Sequence, residues 1–118
     1  MTWVVTAALV GALAVVAGAF GAHGLAERLE PRQLEAWRTA SQYALLHGVA
    51  LLALGLFAVS SGRSVRLPAS LWLTGVALFS GSIFALVLGG PRWLGPVTPL
   101  GGLCLIAGWV ALLSLARS

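Results

Sequence analysis

The sequence contains no lysine and no aspartate, and only one cysteine, one tyrosine and one methionine. Each shortage removes a class of chemistry. Without aspartate there is no Ser-His-Asp triad. Gly81-Ser82-Ile83 also lacks the pattern of a nucleophile elbow. Without lysine the glycine-rich stretch Gly18–Gly24 cannot be a phosphate loop, and it leads into no helix. His23 and His47 have no aspartate or cysteine nearby, and Glu27 is the only close carboxylate, so the pair makes a poor metal site. No metal or cofactor is expected, and no enzymatic activity. Cys104 stands alone in an apolar run, makes no internal disulfide, and reads as a small buried hydrophobe.

Charge is the largest shortage. Only 8% of the 118 residues are charged, while 59% are hydrophobic. Soluble domains carry about a quarter charged residues, and a chain this small cannot hide so much apolar surface from water. The natural solvent is lipid. The net charge of +4 would suggest nucleic acid in a soluble protein. Here the scattered arginines read as juxtamembrane anchors instead, and no nucleic-acid partner is expected.

A hydrocarbon core about 30 Å thick needs about 20 apolar helical residues. Four stretches supply them, over 3–22, 43–60, 68–88 and 99–116. The first lacks a positive leader and is too long for a signal-peptide core, so it reads as a span. Unpaired backbone groups find no partner in lipid, so each span is helix or barrel strand. Strict apolar–polar alternation is absent, which excludes a barrel. The fold class is therefore all-α: an integral membrane four-helix bundle, with 1–118 as one membrane domain.

The stretch from Leu25 to Gln42 differs. Glu27, Arg28, Glu30, Arg32, Glu35 and Arg38 alternate in sign. Pro31 suits a first helical turn, and Leu34, Trp37 and Ala40 share one face. A short amphipathic interfacial helix is expected here between the first two spans, running on into the second. Pro68 and Pro99 fit first turns, Thr98 is a candidate N-cap, and Gly62 and Gly89-Gly90-Pro91 read as stops. Trp3, Trp37, Trp72 and Trp93 fall near span ends and are expected in the headgroup layer; Trp109 lies deeper.

Four spans place both termini and the Arg63/Arg66 loop on one side, the terminal face. The Glu27–Gln42 segment and the Arg92 loop lie on the other, the loop face, where Arg38 and Arg92 are interfacial charges. Three terminal-face arginines (Arg63, Arg66, Arg117) stand against four on the loop face. The positive-inside rule barely discriminates, and the lean is towards cytoplasmic termini.

Helices in lipid need close backbone approach. Ala7, Gly11, Ala14, Gly18 and Gly21 follow a seam spacing along the first span. Ala77, Gly81, Ala85 and Gly89 form a ridge on the third. The second offers Ala40, Ala44 and Gly48, and the fourth Gly101 and Gly108. Gly11, Gly18, Gly21, Gly81 and Gly101 are the expected packing points.

The polar residues gather towards the loop face. His23 closes the first span; Tyr43 and His47 share a face of the second, with His47 about 6 Å inside it. Arg38 and Gln42 share a neighbouring face. Ser80 and Ser82 point to different sides of the third span, and Thr98 opens the fourth. Two readings compete. In one, these residues line a small cavity that binds a lipid headgroup, a quinone or a proton. In the other, each donor bonds a neighbouring backbone or helix and ties the bundle together.

Several motifs together match a known pattern. Gly18-Ala19-Phe20-Gly21-Ala22-His23-Gly24-Leu25 is followed by Trp37-Arg38-Thr39-Ala40-Ser41-Gln42-Tyr43 with His47. Then come Phe79-Ser80-Gly81-Ser82-Ile83-Phe84, Pro96-Val97-Thr98-Pro99-Leu100-Gly101-Gly102 and Gly108-Trp109. In this order they resemble the YgdD-like small membrane protein family, a domain of unknown function shared with a eukaryotic transmembrane protein. The resemblance covers nearly the whole chain. It implies four spans and a bacterial cytoplasmic (inner) membrane location, but no reaction. His23, Gln42, Tyr43, His47, Ser80, Ser82 and Thr98 fall within its motifs and are the candidate ligand-binding cluster. The connecting segment departs from the family by having arginine and glutamate but no lysine. The expectation is a non-enzymatic protein that binds membrane lipid or an amphiphile, or serves a larger membrane complex or homo-oligomer. The alternative is a small proton-coupled carrier or channel using His23 and His47.

Overall fold

The computed structural model describes residues 1–116, so Arg117, counted above on the terminal face, lies outside the described residues. Four helices carry the chain: α1 (Thr2–His23), α2 (Pro31–Ser61), α3 (Arg66–Val87) and α4 (Val97–Ala111). Short 3₁₀ turns at Arg92–Leu94 and Leu112–Ala116 flank α4. Including those turns, all four are long and apolar enough to cross a membrane. Their outward faces are apolar: Leu9, Leu13, Leu46, Val49 and Leu103 are all exposed. Water would not tolerate that surface, and lipid does.

The amphipathic segment is not a separate element. It forms the first turns of α2, a continuous helix of 31 residues, about 46 Å long at about 1.5 Å per residue. Its start is built by a reciprocal cap. The Glu30 side chain accepts from the Gln33 backbone, Gln33 returns a bond to the Glu30 backbone at 3.1 Å, and Pro31 sits in the first turn. That is a capping box with an acid at the positive helix end. At the other end Gly62 adopts φ 71 and donates its N–H to the Ala58 carbonyl, a left-handed stop open to glycine. Gly89 at φ 97 turns the chain after α3. Thr98 is not an N-cap. α4 already begins at Val97 after Pro96, which frees the Thr98 hydroxyl for another partner.

The helices lie in a flattened bundle of 50 × 27 × 17 Å. α1 packs on α2, α2 on α3, and α3 on α4. The first seam is close to the expected one. Ala7, Ala14 and Gly21 are the buried residues of α1, and the antiparallel register sets Gly55 against Val4, Gly48 against Gly11 and Gly21 against Trp37. A Cβ on Gly21 would lie 2.5 Å from the Trp37 ring, so glycine is required there. Gly11 is approached through its backbone, 3.2 Å from the Cβ direction of Gly48, although its own Cβ direction is open. Gly18 is looser than expected: its Cβ direction meets only the Ser41 Cβ at 3.8 Å, an ordinary contact.

The α3 ridge is a correction. Ala77 and Gly89 are exposed, and a Cβ on Gly81 would meet nothing within 4 Å. The buried face of α3 runs instead through Ala69, Trp72 and Gly75. Large knobs decide it, because Trp72 and Leu105 need small partners. Trp72 sits on Gly108, Leu105 on Gly75, and the Phe79 backbone on Gly101. At Gly101 a Cβ would overlap the Phe79 backbone, with the Leu78 carbonyl carbon 2.8 Å away, so a side chain does not fit at this contact.

Two tryptophans also depart from expectation. Trp37 is buried, with its Nε1–H donating to the Ala17 carbonyl at 2.7 Å. Trp72 is 1% exposed. Both fill space between helices, while Trp93 stays exposed at the loop face.

Candidate functional site

The α1–α2 register sets the depth of every polar group. Gly48 lies beside Gly11, so His47 sits near mid-height of α1, about 18 Å along the axis from His23. It is far deeper than the sequence estimate, because the level of α2 facing the α1 end begins at Trp37 rather than Tyr43. His23 and His47 are therefore not brought together. His23 is exposed at the end of α1.

His47 is 3% exposed and both its ring nitrogens are engaged. Nδ1 lies 2.7 Å from the Tyr43 carbonyl. Nε2 accepts the Trp109 indole N–H at 3.0 Å. A carbonyl only accepts, so Nδ1 carries the proton and Nε2 the lone pair: a neutral imidazole that ties α2 to α4. The Trp72 ring meets its edge, with centroids 5.9 Å apart. This also explains Trp109, the aromatic that the sequence left without a role.

The serines are spent in the same way. Ser80 is 2% exposed and donates to the Ala40 carbonyl at 2.7 Å, joining α3 to α2. Ser82 lies on the other side of α3, as its two-residue offset predicts, and shares a short hydrogen bond with the Thr98 hydroxyl of α4. Ser41, absent from the predicted cluster, is buried and back-bonds to the Trp37 carbonyl. Tyr43 lies against Phe79, with ring centroids 4.9 Å apart. Gln42, Arg38 and Arg92 are exposed. The predicted residues thus divide into buried ties (His47, Ser80, Ser82 with Thr98), a ring on the bundle surface (Tyr43), and exposed groups (His23, Gln42). They enclose no common cavity. Among the described residues no cluster of three metal-ligating side chains occurs.

An apolar groove lies in the opposite half. It runs between α2 and the end of α4, is floored by Trp72, and has a volume of about 410 Å³. Ala50, Ala53 and Phe57 form one wall, and Trp109, Leu112 and Leu115 the other. Its deep end is the indole that holds His47, and its outer end lies at the terminal face. At that end Arg63 donates to the Leu115 carbonyl at 2.7 Å and lies 5.9 Å from the Phe57 ring centroid. A smaller groove of about 250 Å³ lies between α1 and α3, along Ala44, Ser80 and Gly81, and a hollow of about 360 Å³ lies at the loop face beside Glu30, Arg32 and Val87. Neither groove carried a sequence signal, because alanine and leucine are everywhere in this chain. Only the crossing of α4 over α3 turns Ala50 and Ala53 into a wall.

Residues 17–102 match the family model described as "Protein of unknown function (DUF423)". A UPF0382 membrane protein of Staphylococcus saprophyticus is 38% identical over 110 residues, covering 93% of this chain and 92% of that one. A UPF0382 membrane protein of Haemophilus influenzae is 40% identical, covering 89% and 85%. One of Schizosaccharomyces pombe is 43% identical, covering 91% and 94%. No solved structure matches. With four apolar membrane-length helices and relatives that align along nearly their whole length, the chain belongs to the DUF423 family and is a multi-pass membrane protein.

Proposed function

We propose that this protein is a non-enzymatic membrane component that holds the hydrocarbon chain of a membrane amphiphile in the groove between α2 and α4. The groove itself carries the reading. It is of the size of small ligand pockets, apolar in lining, and open on the side where lipid would lie. The loop-face polar groups support the reading by exclusion. Buried hydroxyls and the His47 imidazole already have partners within the bundle, so none offers a reactive group to a substrate. The separation of His23 from His47 also gives a proton carrier no continuous path between them. The location we propose is the bacterial inner membrane with cytoplasmic termini, which places Arg63 and Arg66 on the positive side.

Native mass spectrometry of the full chain from mild detergent tests the reading. Wild type is expected to retain one adduct of lipid mass, and Ala53→Phe, which fills the groove from an exposed position, is expected to emerge bare. Equal retention by both proteins would refute the groove as the binding place.

A further inference from the structure

At the outer end of the groove an apolar channel meets a positive charge. Arg63 lies in the turn between α2 and α3, and its guanidinium is held by both walls. It stacks near Phe57 of one wall and donates to the Leu115 and Ser114 carbonyls at the end of the other, at 2.7 and 3.4 Å. A cation beside the last carbonyls of a helix is well placed. A guanidinium has five N–H donors, more than these two carbonyls take. Every side-chain carboxylate of the chain lies between Glu27 and Glu35, on the opposite face. Glu35 is the nearest along α2 to the groove wall at Ala50, about 22 Å away along the axis. Among the described residues no carboxylate competes for Arg63.

We infer that the groove selects an anionic phospholipid, with one acyl chain lying between Ala53 and Leu112 and the phosphate resting against Arg63. This deepens the groove reading and depends on it. Three features point to the same ligand. The apolar length ends at the level of Ala116 and the Arg63 turn, where the membrane surface and its phosphates would lie. The groove is at the small end of ligand pockets, room for one chain rather than two. The cation at the mouth is planar and forked and matches a phosphate oxygen pair; in an anionic lipid no headgroup cation offsets that phosphate, whereas phosphatidylcholine carries its own ammonium beside it. A bilayer lipid can enter sideways, because the groove is open along its length. The tail then covers the exposed edge of Trp109, which is 46% exposed, and reaches towards the indole that ties His47.

The test uses the full chain in phosphatidylcholine vesicles doped with lipid brominated on the acyl chain, either phosphatidylglycerol or phosphatidylcholine. Bromine quenches the groove tryptophans Trp72 and Trp109 when a chain occupies the groove. Half-maximal quenching is expected at about fivefold lower content of the anionic lipid, the preference that one basic residue at a membrane surface supplies. Arg63→Gln, which keeps a neutral donor for the carbonyls, is expected to abolish that preference, and Arg63→Lys to keep it. Ala53→Phe is expected to remove the saturable quenching by both lipids. Equal half-points for the two lipids in wild type, or an unchanged preference in Arg63→Gln, would overturn the headgroup assignment and leave the groove standing. Saturable quenching that persists in Ala53→Phe would overturn the groove itself.

Discussion

The two halves of this bundle use opposite kinds of residue. The loop-face half holds most of the side chains that look chemical, and the structure ties the buried ones within the bundle. Ser80 bonds to α2, Ser82 to Thr98, and the Trp37 indole to Ala17. The terminal half holds mainly alanine, leucine and aromatic carbon, and the groove between α2 and α4 opens there. In lipid a polar side chain gains most by finding a partner inside the protein. A cavity for a lipid tail needs only missing volume, which small residues provide. The place to look for a ligand is thus the half with the duller sequence.

Substitutions test the contrast between the two halves. The largest effect is expected at Gly101→Leu, where a side chain would run into the Phe79 backbone. Loss of about 3 kcal/mol or more is expected, seen as loss of monodisperse protein in detergent, whereas Gly81→Leu, with open space around it, should leave the melting temperature nearly unchanged. Trp37→Ala comes next. It empties a buried indole site and should cost about 3–5 kcal/mol, while Trp109→Ala, at a half-exposed groove wall, should cost clearly less in the same denaturation assay. If the two costs match, the halves do not differ in packing.

Smaller effects separate ties from bystanders. Ser80→Ala removes one interhelical hydrogen bond, and about 0.6–1.7 kcal/mol of stability should go with it. His47→Phe should lose a similar amount and also shift the Trp109 emission, since the indole N–H then has no acceptor. The smallest change is expected for the double variant His23→Ala/Gln42→Ala. Both residues are exposed, so stability should move by less than about 0.5 kcal/mol, with lipid retention unaltered. A loss of bound lipid in that double variant would return the site to the loop face.

The spans were legible in the sequence because hydropathy and helix length are direct physical requirements of the bilayer. The α1 seam was legible for a related reason. Ala7, Ala14 and Gly21 recur at seven residues, and such a row can only face one way. The α3 ridge misled because alanine and glycine permit close approach without requiring it. Trp72 decides which face of α3 turns inward, and its burial depends on Gly108, which lies far along the chain. Trp37 misled for the same reason: its position near a span end suits the headgroup layer, yet Gly21 opens a slot that takes the ring. The Ser80/Ser82 divergence followed from helical geometry alone. The Trp109–His47 bond did not, since it requires the register of α4 against α2, and the groove is a property of that same register.

In the proposed arrangement lipid occupies the terminal half and polar ties fill the loop-face half. Photo-crosslinking with a diazirine-bearing phospholipid, followed by peptide mapping, reads this directly. Adducts are expected to concentrate on Ala50–Phe57 and Trp109–Leu115 and to be competed away by unlabelled lipid. Adducts centred on Gln42, Tyr43 and Thr98, or spread evenly over the outer face of α1 at Leu9 and Leu13, would contradict it.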